Sequence, residues 1–239
     1  MSLPAIIIAG GYGTRIAAVA GNKPKSLIQI CEKPFLYWQL DLLFKNGVED
    51  VVLCLSHRAE QIMEYLSYQN DIQVNIHYCL DGDTQLGTGG SAKKAISLVK
   101  GPCFVLYGDS YLLADFSKIK DFYIKQSKQA LMTTIHHSKT YEKPNVEMSQ
   151  NKIVAYSKSR AGVNMKYLDY GLSILTSDCF DFSQGLATFD LSEVFSNLIL
   201  RDEVVGYETD QKYFEIGSTR GFSEFKNYME RENSAQSEF

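Results

Sequence analysis

No apolar run in this 239-residue chain approaches the roughly twenty residues that a bilayer span needs. The start, Met1-Ser2-Leu3-Pro4, lacks the basic segment of a signal peptide, so no leader is expected and the cytoplasm is the default compartment. Positive charge is not in excess. Against 28 Asp and Glu stand 24 Lys and Arg, a net of −4, which gives no bulk field for nucleic acid. A polyanionic ligand would have to be met by local cations and metal. The five cysteines, Cys31, Cys54, Cys79, Cys103 and Cys179, are scattered without a Cys-x-x-Cys pair, which argues against a zinc site and a disulfide framework. Cys54 and Cys103 lie inside apolar runs and read as buried small hydrophobes. His136-His137 has no third ligand at useful spacing and reads as a strand end. There is no internal repeat and no low-complexity linker.

What the chain does have is an ordinary 45% apolar content and enough length for a full core. Short apolar runs at residues 5–9, 51–55 and 103–107 read as buried strands, and 72–78 alternates like one. Between them, 34–45, 59–68 and 89–99 carry helical spacing. Regular alternation of this kind implies a mostly parallel sheet covered by helices, with ligands outside the carboxyl ends of its strands. The second part is less regular: strands are expected at 130–136, 145–148, 152–156 and 170–175, and helices at 191–200 and 218–228. The expected organisation is one domain over 1–231, with halves at 1–110 and 111–231, and a polar, frayed tail at 232–239.

The most informative stretch is the first strand and its sequel. Ile6-Ile7-Ile8-Ala9 breaks into Gly10-Gly11-Tyr12-Gly13-Thr14-Arg15, and Lys23-Pro24-Lys25 follows. Glycines let the backbone turn sharply and approach a ligand, whose phosphates the N–H groups can cradle. Arg15 and Lys25 add two cations. No Gly-Lys-Ser/Thr follows at the P-loop spacing, and the dinucleotide fingerprint lacks its third glycine. Glycines alone would mark only a tight turn; with the two cations they indicate a nucleoside triphosphate site. Asp109 closes the strand Phe104-Val105-Leu106-Tyr107-Gly108, where a carboxylate is costly unless paired or bound to metal. It is either a turn aspartate or an oxygen ligand of the kind magnesium takes. Glu215, in Tyr213-Phe214-Glu215-Ile216-Gly217, is either a surface glutamate before a helix or a second such ligand. Leu86-Gly87-Thr88-Gly89-Gly90 follows an acidic turn, and glycines at a helix start expose backbone donors suited to a flat base edge.

Gly10 to Ile16 with Pro24-Lys25 resembles the signature of the sugar-1-phosphate nucleotidyltransferases, a Gly-Gly-x-Gly-Thr-Arg-Leu loop followed by Pro-Lys. Ala18 and Gln29 stand near positions where that family often has proline. The resemblance runs from Ala5 to about Tyr228. It implies a Rossmann-like α/β fold, the nucleotide-diphospho-sugar transferase fold: three α/β/α layers with a mixed, mostly parallel sheet. It implies transfer of a nucleotidyl group from an NTP to a sugar 1-phosphate with release of pyrophosphate. Ala9, Gly10, Gly11, Gly13 and Thr14 would wrap the nucleotide phosphates, and Leu86, Gly87, Thr88 and Gly89 would lie against the base. Arg15 would stabilise the leaving pyrophosphate and Lys25 the α-phosphate. Asp109 would bind Mg²⁺, with Glu215 as second ligand where relatives carry Asp.

On the sugar side, the resemblance gives Glu147 the sugar hydroxyls and Lys158 the sugar phosphate. Asp169-Tyr170-Gly171 replaces Asn-x-Gly, turning a donor-acceptor side chain into an acceptor. The glycine segment is most similar to guanylyltransferases acting on mannose or heptose 1-phosphates, so GTP is favoured; cytidylyl and uridylyl transfer stay open. So do a non-catalytic nucleotide-binding relative and a glycosyltransferase using Asp81-Gly82-Asp83, although Cys79-Leu80 makes a poor strand end before that motif. The β-helix domain of longer family members is not provided, so acetyl transfer is not expected. Neither nucleic acid nor membrane is an expected partner, and assembly into a homo-oligomer is left open.

Overall fold

The computed structural model describes residues 2–11, 16, 19, 21–82, 84–158 and 162–236. The first part runs β1 (Ala5–Ile8), β2 (Gln29–Ile30), β3 (Lys33–Pro34), α1 (Phe35–Lys45), β4 (Asp50–Leu55), α2 (Ala59–Ser67), β5 (Asn75–Leu80), α3 (Gly87–Ile96) and β6 (Cys103–Tyr107). Then come β7 (Ser110–Leu112), α4 (Phe116–Ile124), β8 (Ala130–His136), β9 (Val146–Ser149), β10 (Lys152–Tyr156), β11 (Tyr167–Leu175), α5 (Leu191–Leu200), β12 (Val204–Thr209), β13 (Tyr213–Glu215) and α6 (Thr219–Gln236). Nine strands form one sheet in the order β5-β4-β1-β6-β11-β8-β12-β10-β9. The first four are parallel throughout. From β6 onward the sheet is mixed: β11 runs antiparallel to β6 and β8, and β12 is parallel to β8.

The apolar runs reflect two covered faces. Successive side chains of a strand point to opposite sides. In β1, Ala5 and Ile7 join a core with Leu36, Leu40 and Leu43 of α1, Ile62 and Leu66 of α2, and Phe116 and Ile119 of α4. Ile6 and Ile8 join a second core with Ala92, Ala95 and Ile96 of α3 and Val194, Phe195 and Leu198 of α5. A parallel strand buried on both faces reads as a continuous hydrophobic run, and β1, β4 and β6 do so. Cys54 and Cys103 are buried in the second core, as their surroundings in sequence indicate. Burying each of these isoleucines contributes about 1.5–3 kcal/mol relative to exposure. A third cluster packs the start of α1 and the β7–β13 pair under α6, through Phe35, Tyr111, Phe214, Phe225 and Met229.

Three expectations change. The polar stretch after Tyr228 does not begin a frayed tail at residue 232: α6 continues to Gln236, supported by a Ser234 hydroxyl on the Glu230 carbonyl at 2.8 Å and good helix formers along its exposed side. Residues 237–239 lie outside the described residues. Strand β5 extends through Cys79 to Leu80, so the Asp81 turn does follow a strand end. The elements α4, β7, β12 and β13 are too short or too weakly periodic to stand out: β12 lies inside the large sheet between β8 and β10, and β7 and β13 pair as a separate two-stranded sheet. Among the described residues, no helix is long and apolar enough to cross a membrane.

Candidate active site

The carboxyl ends of β1, β4, β5 and β6 come out at one edge, and backbone hydrogen bonds carry the strands' register into the loops. Ala9 N–H donates to the Cys54 carbonyl at 3.0 Å, Asp81 N–H to Leu55 at 2.9 Å and Gly108 N–H to Ile8 at 2.9 Å. Gly10 is wedged against Ser56 and the Asp81 carboxylate, which stand 3.1 and 3.6 Å from where a Cβ at residue 10 would be. Its carbonyl accepts from Gln85 Nε2 at 3.2 Å. Gly11 is exposed beside it. Gly13, Thr14 and Arg15 lie outside the described residues, as do Ala18 and Asp83.

Gly108 is glycine for a steric reason: a Cβ there would stand 2.7 Å from both Cα and Cβ of Ala9. That close approach brings the turn of Asp109 against the start of the glycine loop. From below, Gln39 of α1, fully buried, donates through Nε2 to the carbonyls of Tyr107 at 2.9 Å and Ser110 at 2.8 Å, clasping the same turn. Lys25 Nζ reaches Asp109 Oδ2 at 2.5 Å, and both side chains are largely buried. Glu215 enters from the far end of the chain, because β13 pairs antiparallel with β7 and puts Glu215 opposite Ser110. The Ile216 N–H donates to the Asp109 carbonyl at 2.9 Å. Glu215 Oε1 lies 2.1 Å, and Asp109 Oδ2 3.2 Å, from the point where a Cβ at Gly217 would be, so the two carboxylates meet over the space that this glycine leaves.

The donor set fits magnesium. Two hard carboxylate oxygens converge, one already neutralised by an ammonium, and magnesium is commonly held by one or two carboxylates while water and phosphate oxygens fill its other positions. Among the described residues, no group of three or more His, Cys, Asp or Glu side chains could hold a metal ion, so an all-protein cage is not what this site offers.

The Leu86–Gly90 segment differs from its sequence reading. Two of its glycines spend their donors within the fold. Gly89 and Gly90 N–H both point at the Phe189 carbonyl, at 3.0 and 3.3 Å. Gly87, at φ +71°, brings its Cα side against that carbonyl, where a Cβ would be 2.5 Å away. Leu86 N–H donates to Asp81 Oδ2 at 3.4 Å, and the Ser91 hydroxyl to Asp81 Oδ1 at 2.7 Å. Asp81 is thus turned inward as a brace for the α3 start, which removes the support for an Asp-x-Asp metal motif there. The Thr88 hydroxyl donates to Asp190 Oδ2 at 3.0 Å.

The sugar-side residues fall on β9, on β11 and just after β10, with Lys158 and Gly171 beside Tyr107. Gly171, at φ +88°, lies beside Tyr107 and Ser110, the neighbours of the Asp109 turn. Asp169 accepts from the Tyr156 hydroxyl at 3.0 Å and from Gly171 N–H at 2.9 Å, and its own N–H donates to Asn145 Oδ1 at 2.9 Å. Burial raises the Asp169 carboxyl above its ordinary range, against the Gly171 and Tyr156 donors and the Lys158 ammonium. Lys158 Nζ sits 2.7 Å from Asp190 Oδ1 and 5.5 Å from the centre of the Tyr107 ring. Burial would raise Asp190, but the Lys158 ammonium and the Ser192 donors outweigh it and hold the carboxyl at about 2. Glu147 lies half-buried on β9 opposite Ala155, apart from this network.

Gln39, Tyr107, Tyr156 and Asp190 were not singled out by sequence reasoning. Only Asp190 carried a signal, the Asp-x-x-Glu capping box formed with Glu193, and that signal speaks of a helix start, not of a lysine partner.

The family model for nucleotidyl transferases matches residues 4–218. The chain belongs to the nucleotidyl transferase family. Among curated relatives, this nucleotidyl transferase is 31% identical over 195 residues to the D-glycero-alpha-D-manno-heptose 1-phosphate guanylyltransferase of Campylobacter jejuni, covering 81% of this chain and 82% of that one. It is 26% identical over 223 residues to the mannose-1-phosphate guanyltransferase of Yarrowia lipolytica, covering 91% of this chain but only 61% of the yeast protein's length. Among solved structures, HddC from Yersinia pseudotuberculosis complexed with GMP-PN superposes with a TM-score of 0.80 at 22% identity, over 95% of this chain and 99% of that one. That likeness supports the mixed α/β nucleotidyl transferase fold expected from the sequence.

Proposed function

We propose that this nucleotidyl transferase is a magnesium-dependent guanylyltransferase, moving GMP from GTP to a manno-configured sugar 1-phosphate, D-manno-heptose or mannose 1-phosphate, with release of pyrophosphate. The observation that carries the reading is the convergence of Lys25, Asp109 and Glu215 beside the glycine turn that follows β1. The bacterial relative at 31% identity, named for this reaction, supports the choice of GTP and heptose 1-phosphate.

The attacking group is a sugar phosphate oxygen that is already anionic, so no general base has to remove a proton. The difficulty is bringing two anions together in line, and positioning with charge neutralisation answers it. Backbone at Ala9, Gly10 and Gly11 lines the triphosphate side. Lys25 sets a fixed ammonium where charge builds on the α-phosphate, and Arg15 counters the leaving pyrophosphate. Bound between Asp109 and Glu215, Mg²⁺ would supply additional positive charge to the reacting phosphates. Lys158 meets the sugar phosphate, Asp169 and the backbone at Gly171 face the sugar, and Glu147 reaches its hydroxyls from β9. At the base, the backbone at Gly87 is the part of the segment left to read the nucleotide, because Leu86 is engaged by Asp81 and Phe189, and Thr88 and Gly89 by the Phe189–Asp190 turn.

The test is pyrophosphate release from GTP, CTP, UTP, ATP and dTTP, each paired with mannose, glucose and D-glycero-α-D-manno-heptose 1-phosphates. Release is expected with GTP and a manno-configured sugar, lost on chelation and restored by Mg²⁺. Release only with CTP or UTP would replace the guanylyl reading. Silence across the whole panel would leave a nucleotide-binding protein without this activity.

A further inference from the structure

We infer that Thr88 and Asp190 position Lys158, so that two side chains that do not touch the sugar 1-phosphate set the affinity for it. The inference rests on the proposed role of Lys158 at the sugar phosphate.

Both carboxylate oxygens of Asp190 and its backbone N–H are hydrogen-bonded. Its backbone N–H donates to Glu193 Oε1 at 2.8 Å, and its Oδ1 accepts from Ser192 N–H at 2.8 Å, the capping box of α5. Its Oδ2 accepts from Thr88 Oγ1 at 3.0 Å, and Thr88 Oγ1 in turn accepts from Leu191 N–H at 2.8 Å, which fixes the direction of the hydroxyl proton. A carboxylate so held has one rotamer left to it, and the ammonium it grips at 2.7 Å inherits that fixity. On the opposite side Lys158 rests over the Tyr107 ring, two residues before Asp109.

A cap needs only one oxygen, and an exposed ion pair contributes little to stability. The arrangement is therefore more than the start of α5 requires. Lysine has three donors, so one spent on Asp190 leaves two for a phosphate. A long side chain ordered before its ligand arrives does not lose that freedom on binding, and affinity rises accordingly. Thr88 belongs to the segment facing the nucleotide, so the chain Thr88–Asp190–Lys158 also ties the nucleotide side of the cleft to the sugar side.

The experiment compares Asp190→Asn, Thr88→Val, Thr88→Ser and Lys158→Met with the parent protein in steady-state kinetics, with GTP and D-glycero-α-D-manno-heptose 1-phosphate. Asparagine keeps the cap through Oδ1 but loses the charge that holds Lys158, and its Nδ2 replaces the oxygen that accepts from Thr88, so Thr88→Val isolates that hydrogen bond with the charge left in place. Asp190→Asn should raise KM for the sugar 1-phosphate about tenfold and Thr88→Val about threefold, with KM for GTP within about twofold of the parent. Thr88→Ser, which keeps the hydroxyl, should restore the parent value. A structural role alone would lower Tm without splitting the two KM values.

If Lys158→Met raises the sugar KM while Asp190→Asn does not, the lysine's role stands and the relay is wrong. If neither moves it, the lysine's role falls and the relay with it. A readout independent of turnover is the ¹³C-dimethyl-lysine NMR signal of Lys158, identified by its loss in Lys158→Met. It should lie apart from the exposed lysines in the parent and move toward them in Asp190→Asn and Thr88→Val. A signal that neither substitution moves overturns the positioning even in a protein that turns over none of the substrate pairs.

Discussion

Along β5, β4, β1 and β6 the site is built from backbone and closely spaced residues. Strand ends, the Gly10 turn and the 2.7 Å approach of Gly108 to Ala9 place Asp109, and Lys25, Gln39 and Glu215 reach in from elsewhere. Across β9, β10 and β11 it is built from side chains meeting over long separations: Tyr156 with Asp169, Asn145 with the Asp169 backbone, Lys158 with Asp190. The first region has little adjustable geometry, because parallel strands in register leave their carboxyl ends fixed. The second can be retuned one contact at a time. On the proposed function, the common chemistry of nucleotidyl transfer would reside where the backbone dictates geometry, and the choice of sugar where side chains do.

The largest effect should come from the first region. Lys25→Ala or Asp109→Ala removes a charge at the reacting phosphates and should lower kcat by on the order of 10³-fold, with the circular dichroism spectrum and Tm of a folded protein. Parental turnover in either folded variant would sever the ion pair from catalysis. Next is Gln39→Met, which leaves the Tyr107 and Ser110 carbonyls unpaired in the core. It should cost about 1–3 kcal/mol in denaturant unfolding and lower kcat through the displaced Asp109 turn. Unaltered kcat beside lowered stability would show that the clasp serves the fold alone.

Gly108→Ala tests the backbone argument directly. The added methyl has no room beside Ala9 and should destabilise by about 1–3 kcal/mol. A neutral result would mean that the β1 and β6 ends can move apart.

The smallest effect belongs to the second region and depends on pH. Burial raises the Asp169 carboxyl, opposed by Gly171 N–H, the Tyr156 hydroxyl and Lys158, so folding favours its protonated form. The cost of burying the carboxylate is absent below the ordinary aspartate range, near pH 3.9, and grows as pH rises through the raised folded value. Asp169→Asn, which can still accept from Gly171 and donate to Tyr156, should raise Tm by about 2–4 °C per kcal/mol recovered. The gain should be larger at pH 7 than at pH 4. An equal gain at both would assign it to packing.

Sequence alone determined the parallel strands β1, β4, β5 and β6 and the helices between them, the break at Gly10 after β1, and the choice of Lys25, Asp109 and Glu215 as candidates. Each of these is a local pattern: an apolar run buried on two faces, a break that only glycine makes easily, a charged residue at the end of an apolar stretch. It missed β12 and α4, which borrow their stability from the sheet, and it misread Gly89 and Gly90, whose donors are consumed by a carbonyl a hundred residues away in the chain. Only the tertiary structure decided that Lys25 would meet Asp109, that Gln39 would clasp the turn from below, and that Asp190 would hold Lys158. No period or spacing encodes such pairs, because they form where distant elements happen to be packed side by side.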